Sequence, residues 1–186
     1  PEFLPNTYDQ YYLYPDYKVS HLDPNFTRAD EVMAGREKRV FTECAEVIKE
    51  GKLGDKFHAI SDAHAEMMIK VAEAIAYNKN DRHILIVENN GAIANMQDDA
   101  MVEVVCELGI NGPRPMRVGN IPQFNLGLLV NQVSCEKLIV DAYFENSYQK
   151  ALEAFTLNRL INDAKKARKV LDALIEANKG MWPELR

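Results

Sequence analysis

HILIVEN, residues 83 to 89, NNGAIAN, residues 89 to 95, and MVEVVCEL, residues 101 to 108, decide the fold class. The first run is rich in β-branched and aliphatic residues between turn formers and reads as a short buried strand. Asn and Gly in NNGAIAN mark a loop, because both tolerate backbone conformations that other residues avoid. MVEVVCEL alternates or runs apolar after Asp98 and Asp99, as a second strand does. NGPRP, residues 111 to 115, reads as a turn, and a further short strand is expected around Met116 to Val118. Together these predict a small antiparallel sheet.

Helical patterns flank this sheet on both sides. Upstream, Thr27 can cap free backbone N–H groups while Asp30 favours the positive helix terminus, so a helix should start there and run to Gly51. Val32, Met33, Val40, Phe41, Cys44, Val47 and Ile48 recur near the helical period and predict one buried stripe. A second helix is expected after Ser61, through Met67, Met68, Val71, Ala72 and Ile75 to about Asn78, with NKND as a polar turn. Downstream of Pro122 the sequence is helical to its end. One helix carries Phe124, Leu128, Leu129, Gln132, Val133, Leu138 and Ile139, another starts at Ser147, and the last runs from Ala164 to Lys179 before Gly180. The opening PEFLPNTYDQYYLYPDY is rich in Pro and Tyr and reads as a helical turn among extended segments, its aromatics suited to an interface. The expected class is α+β, mainly helical with a small antiparallel sheet, and without internal repeats.

A chain of 186 residues with 47% hydrophobic and 27% charged residues has the balance of one ordinary globular domain. A net charge of -6 argues against nucleic acid as a partner, since phosphate neutralisation needs clustered cations. The one basic cluster, Lys165, Lys166, Arg168 and Lys169, fits the solvated face of a helix whose apolar side carries Val170, Leu171 and Leu174. Cys44, Cys106 and Cys135 show neither CxxC nor a zinc-like spacing and are expected as buried free thiols in a reducing, cytoplasmic setting. No apolar stretch approaches the ~20 residues of a membrane helix, and no signal segment is read at the start.

The residues alone specify little chemistry. No G-x-G-x-x-G is present to seat a pyrophosphate, and His21, His58, His64 and His83 lack metal-ligand spacing, so neither cofactor-binding nor metal residues are assigned. His64 is the most suggestive histidine, near a helix start beside Asp62, although a cap residue there would look the same. Asn89 and Asn90 place amides at the end of a strand, where ligand contact and turn formation are both open. The acidic residues are scattered, and no pair stands out as the acid and base of a glycosidase.

Longer segments resemble one family from the first residues to the last. LPNTYDQYYLYPD (4–16), TRADEVMAGREKRVF (27–41), VENNGAIANMQDDAMVEVVCELGINGPRP (87–115), VGNIPQFNLGLLVNQVSCEKLIVDAY (118–143) and the ending LIEANKGMWPELR are similar, in order and separation, to the C-terminal part of the family 4 glycoside hydrolases. EVMAGRE, DAHAE and IPQF resemble the 6-phospho-α-glucosidase subgroup in particular. The resemblance implies the C-terminal fold of these lactate dehydrogenase-like glycosidases. Residues 1–186 would form a substrate-side and oligomerisation domain, with an N-terminal Rossmann domain encoded upstream as its partner. It also implies phosphorylated disaccharides as substrates, and NAD and manganese as cofactors of the full-length enzyme, with none expected on this chain alone. In that mechanism NAD takes hydride from the sugar C3, a Tyr removes the acidified C2 proton, and the metal stabilises the enolate.

Two positions depart from the family pattern. The resemblance puts Met67 where the Tyr base belongs, and a thioether accepts no such proton; on its own helix Met67, with Met68, Val71 and Ile75, reads as core. Glu88 precedes Asn89 and Asn90 where many members carry Arg, and an ionised carboxylate would repel a phosphorylated ligand. Glu88, Asn89, Asn90 and His64 are the candidate substrate-binding residues, and no intact catalytic residue is assigned. A non-catalytic binding or oligomerisation module is the alternative expectation.

Overall fold

The computed structural model describes residues 8–52, 63–161 and 163–186. Its elements run in order α1 (Asp9–Leu13), α2 (Pro15–His21), α3 (Arg28–Glu50), α4 (Ala63–Ala76), β1 (Asp81–Glu88), β2 (Met101–Gly109), β3 (Gly112–Pro115), α5 (Gln123–Glu145), α6 (Tyr148–Leu157) and α7 (Ala164–Ala177). The strands form one antiparallel sheet in the order β1-β2-β3. The expected α+β class is therefore the observed one. By contacts the chain divides into two compact units, one of residues 1–13, 84–106 and 113–186, the other of residues 14–83 and 107–112.

In the first unit the core follows the strand alternation. Val102, Val104 and Cys106 of β2 point inward with Ala92, Ile93, Met96 and Ala100 of the preceding loop and Val133 of α5. Leu85 and Val87 of β1 pack on this cluster from the side. The intervening Ile84 and Ile86 are exposed. Strand β1 is thus half-buried, where the continuous apolar run predicted full burial, because only every second side chain of a strand can reach one face. The expected turn at NGPRP is also corrected. Gly112–Pro115 is itself β3, and the reversal lies at Ile110 and Asn111, with Gly112 at φ 88 just beyond it. Met116 to Val118 follows the strand, its backbone tied by Met116 N–H to Val105 (2.9 Å) and Val118 N–H to Ala92 (2.8 Å).

The last three helices form a packed layer in which α6 contacts both α5 and α7. The chain reverses at Asn146, in the left-handed region at φ 55, and Ser147 then caps α6 by accepting from Lys150 N–H. Ala142, Ala151 and Leu171 form the centre of this layer, with Tyr148, Leu152, Phe155, Ile175 and Leu185 around it. The C-terminal residue closes it: Arg186 N–H donates to Asn146 (2.7 Å) and Arg186 O accepts from Tyr148 N–H (3.0 Å). On α7 the basic cluster is exposed as expected, but of the three apolar positions beside it only Leu171 is buried.

In the second unit the local signals hold and the burial expectations fail. Thr27 and Asp30 form a reciprocal capping box at the start of α3, and Gly51 ends the helix at φ 68. No residue of α3 is buried. Met33, Phe41 and Ile48 of the expected core stripe face solvent, as does the thiol of Cys44, whereas Cys106 and Cys135 are buried. Helix α4 behaves likewise. Met67, Met68 and Ile75 are exposed, Val71 is partly covered, and Ala74 is the one buried position among residues 64–76. The start expected at Ser61 lies outside the described residues. After α4 the NKND turn bends back, with Asn78 and Asn80 both at positive φ. Asn78 Oδ1 accepts from Ile110 N–H (3.0 Å). A Cβ on Gly109 would come within 2.6 Å of that oxygen, which is why the strand end carries glycine.

Candidate functional site

The loop from Asn89 to Ala100 joins β1 to β2 and holds two of the four residues expected to contact substrate, Asn89 and Asn90, with a third, Glu88, at the end of β1. Asn89 is fully buried. Its Oδ1 accepts from Ile93 N–H (2.7 Å), and its Nδ2 donates to the carbonyls of Ile93 (3.1 Å), Met96 (3.2 Å) and Gln97 (3.0 Å). The amide is therefore engaged in holding the loop closed. Asn90 takes φ 42 and Gly91 φ 78, which only residues of their kind accept readily. Glu88 is exposed and its Oε2 accepts from Asn90 Nδ2 (3.1 Å), so these two side chains bind each other at the surface.

Further ties fix the loop to the segment before α5. Asn95 and Ile121 exchange two hydrogen bonds of 3.0 Å each, and Ala94 N–H donates to Gly119 (2.9 Å). Lys137 of α5 pairs with Asp99 (2.6 Å) and reaches Gln97 Oε1 (3.2 Å). The hydrogen bond from Lys137 holds the Asp99 carboxyl below its ordinary range.

His64 and Met67 lie one turn apart on α4, in the other unit, and both are exposed. The core reading of Met67 is thus corrected: its side chain is exposed, with no described residue burying it. Among the described residues no three His, Cys, Asp or Glu side chains gather to hold a metal ion. The sequence also lacks a glycine-rich phosphate turn. The described side chains therefore do not fit manganese or a dinucleotide, and no reaction step through either group can be placed on them.

Sequence reasoning missed a concavity that lies within the first unit. It has a volume of about 270 Å³ and is lined by Tyr12 and Leu13 of α1, by Asn125, Leu128, Leu129, Asn131 and Gln132 of α5, and by Arg159 beyond α6. Asn125, Leu128, Leu129 and Gln132 stand at i, i+3, i+4 and i+7, so one helix face supplies half of the lining. Arg159 Nη2 donates to the Tyr12 carbonyl (3.2 Å), and Asn131 Nδ2 donates to Leu157 O (3.2 Å). Asn125 Oδ1 is buried and has no hydrogen-bond partner. An unpartnered buried acceptor is uncommon. The available signal was Asn125 and Gln132 on an otherwise leucine-lined face.

Known proteins match this geometry over its whole length. The family model described as the family 4 glycosyl hydrolase C-terminal domain matches residues 1–161. The maltose-6'-phosphate glucosidase of Clostridium acetobutylicum is 52% identical over 186 residues, covering 100% of this chain and 42% of the relative. The 6-phospho-alpha-glucosidase of Leptotrichia buccalis is 52% identical over 187 residues, with the same two coverages. A crystal structure of a 6-phospho-alpha-glucosidase from gut microorganisms, in complex with NAD and Mn2+, superposes with a TM-score of 0.92 at 81% identity, covering 100% of this chain and 42% of that one. The chain thus spans 42% of the length of the relatives named here.

Proposed function

Because the chain belongs to the family 4 glycosyl hydrolases, whose C-terminal domain it matches, we propose that it serves as the substrate-side part of a 6-phospho-α-glucosidase. The observation that carries this reading is the identity gradient. Maltose-6'-phosphate glucosidase and 6-phospho-alpha-glucosidase relatives stand at 52%, whereas the probable 6-phospho-beta-glucosidase of Bacillus subtilis stands at 30%. The substrate would be a disaccharide phosphorylated on one sugar, cleaved at its α-glycosidic bond. NAD and manganese, named with the 81% identical structure, would supply the oxidation and the enolate stabilisation from the part of the protein that the relatives have beyond this match.

The contribution of this chain is support and shape. The loop closed by Asn89 presents Glu88 and Asn90 on a rigid base. Glu88, Asn89, Asn90 and His64 are the candidate substrate contacts, and the family's base, whose position the sequence reading placed at Met67, would have to come from another group. The same reading includes self-association, supported by the exposed apolar side chains of α3 and α4. It also includes a cytoplasmic location, where sugars phosphorylated on import would meet the enzyme; no helix among the described residues is long and apolar enough to cross a membrane.

A chimera tests the reading. This chain is joined behind the upstream part of the C. acetobutylicum relative and assayed with NAD and Mn2+ on maltose 6'-phosphate. Cleavage of the phosphorylated sugar, and none of maltose, is expected. A folded, NAD-binding chimera that cleaves neither substrate, beside an active parent, would reject the reading.

A further inference from the structure

We propose that the pocket between α1 and α5 takes a neutral monosaccharide ring, the sugar that leaves when a phosphorylated disaccharide is cleaved; this rests on the substrate reading above. A volume of about 270 Å³ lies just below the range of ligand pockets, ~300–1,000 Å³, and suits one sugar ring rather than two.

The lining matches the two kinds of surface that a pyranose presents. Leu13, Leu128 and Leu129 give an apolar wall for the C–H face of a ring. The polar groups stand where hydroxyls would reach. Asn125 Oδ1, buried and unpartnered, can accept from a hydroxyl once the amide turns toward the pocket that its residue lines. Arg159 is exposed at the rim and has one donor committed to Tyr12 O, leaving other N–H groups for hydroxyl oxygens.

The same lining disfavours a phosphate group. A dianion would sit against leucines with Arg159 as the one cation of the lining, and losing its hydration there costs more than a single exposed guanidinium returns. No carboxylate lines the pocket either, so it shows no preference for a cationic ligand. A neutral, hydroxylated ring is what the chemistry leaves.

The test is a titration of this chain with glucose and, separately, with inorganic phosphate, followed by NMR. Glucose should shift the Asn125 side-chain amide and the methyls of Leu128 and Leu129, and inorganic phosphate should not. Asn125→Ala should weaken glucose binding about fivefold, the effect of one hydrogen bond, without altering the melting temperature by more than a few degrees. If that variant does not fold, Arg159→Gln and Leu129→Gln, both at exposed positions, carry the test with a two- to fivefold loss expected for each. Absence of a glucose response, a preference for phosphate, or equal glucose affinity in the folded variants would overturn the proposal.

In the chimera, Asn125→Ala should raise KM for maltose 6'-phosphate while leaving methyl 6-phospho-α-glucoside unaffected, since the latter has no leaving sugar. Equal effects on both substrates would count against a leaving-sugar site. A chimera that cleaves maltose 6'-phosphate while the chain ignores glucose would sink the pocket and spare the function. Glucose binding with an inactive chimera would sink the function and leave the pocket as a sugar site.

Discussion

Helices α3 and α7 carry equally clear sequence signals and end in opposite circumstances. Each begins with a side chain that accepts from a first-turn N–H, Thr27 in α3 and Asp163 in α7, and each shows apolar residues at the helical period. Helix α7 buries Ala167 and Leu171 against α6, whereas α3 buries nothing and leaves Ile48 82% exposed. Helix formation is a local matter of caps, propensity and period. Burial needs a second surface, and the periodicity of one helix does not say where that surface is or whether the same chain provides it.

Cysteine chemistry should give the largest contrast between the two regions. Cys44 of α3 is exposed, while burial pushes the thiols of Cys106 and Cys135 up from their ordinary value. A disulfide reagent should label Cys44 in the native chain orders of magnitude faster than the other two, which must wait for the fold to open. Mass spectrometry of the labelled peptides checks the order. Protection of Cys44 would mean that a second surface covers α3 in solution.

Asn89→Ala comes next. It removes four hydrogen bonds from a buried loop and strands the Ile93 N–H and the Met96 carbonyl, while the Ile93 and Gln97 carbonyls keep the backbone N–H groups of Met96 and Ala100. A loss of about 3 kcal/mol is expected by urea unfolding. A loss under about 1 kcal/mol would mean that the loop is held by its apolar residues rather than by this amide.

The helix comparison itself is tested by truncating one apolar residue in each. Leu171→Ala, at a position 4% exposed, should cost about 3 kcal/mol. Ile48→Ala should stay within about 0.5 kcal/mol, as surface changes do. If the second substitution costs as much as the first, α3 is packed in solution, as self-association would make it.

The smallest expected effect is the acid dependence of the loop tie. The Asp99 carboxyl is held below its ordinary value chiefly by the hydrogen bond from Lys137. A carboxylate with a lowered folded value contributes stability that is present above its unfolded value and lost as pH falls through the folded one. The stability difference between the parent and Asp99→Asn should therefore shrink from about pH 5 to about pH 2, read as urea midpoints. A difference that stays constant over that range would show that the pair adds nothing to folding.

Much of the local structure was legible without coordinates. The Thr27 cap, the Gly51 stop, the Ser147 start and the strands on either side of NNGAIAN are written in residue types whose effect acts within a few positions. Register was less so. In NGPRP the Pro and Gly spelled a turn, yet Gly112–Pro115 pairs as β3, because Pro is tolerated in a strand that has a partner on one side only. The candidate site was the least legible part. Asn89 stood out as a ligand contact because an amide beside glycine serves a binding loop and a closed loop equally well. The pocket of Asn125 and Arg159 went unseen because its parts are separated by 33 residues and joined only by packing.

The sequence by itself determined the family, the α+β class and most helix ends, since these rest on whole-segment likeness and on interactions between near neighbours. Only the tertiary structure decided that Asn89 faces inward, that the apolar stripe of α3 is not buried among the described residues, and that one face of α5 meets Tyr12 and Arg159 around a pocket. The physical reason is that burial and cavities are relations between distant surfaces, set by how elements meet and not by what each element contains.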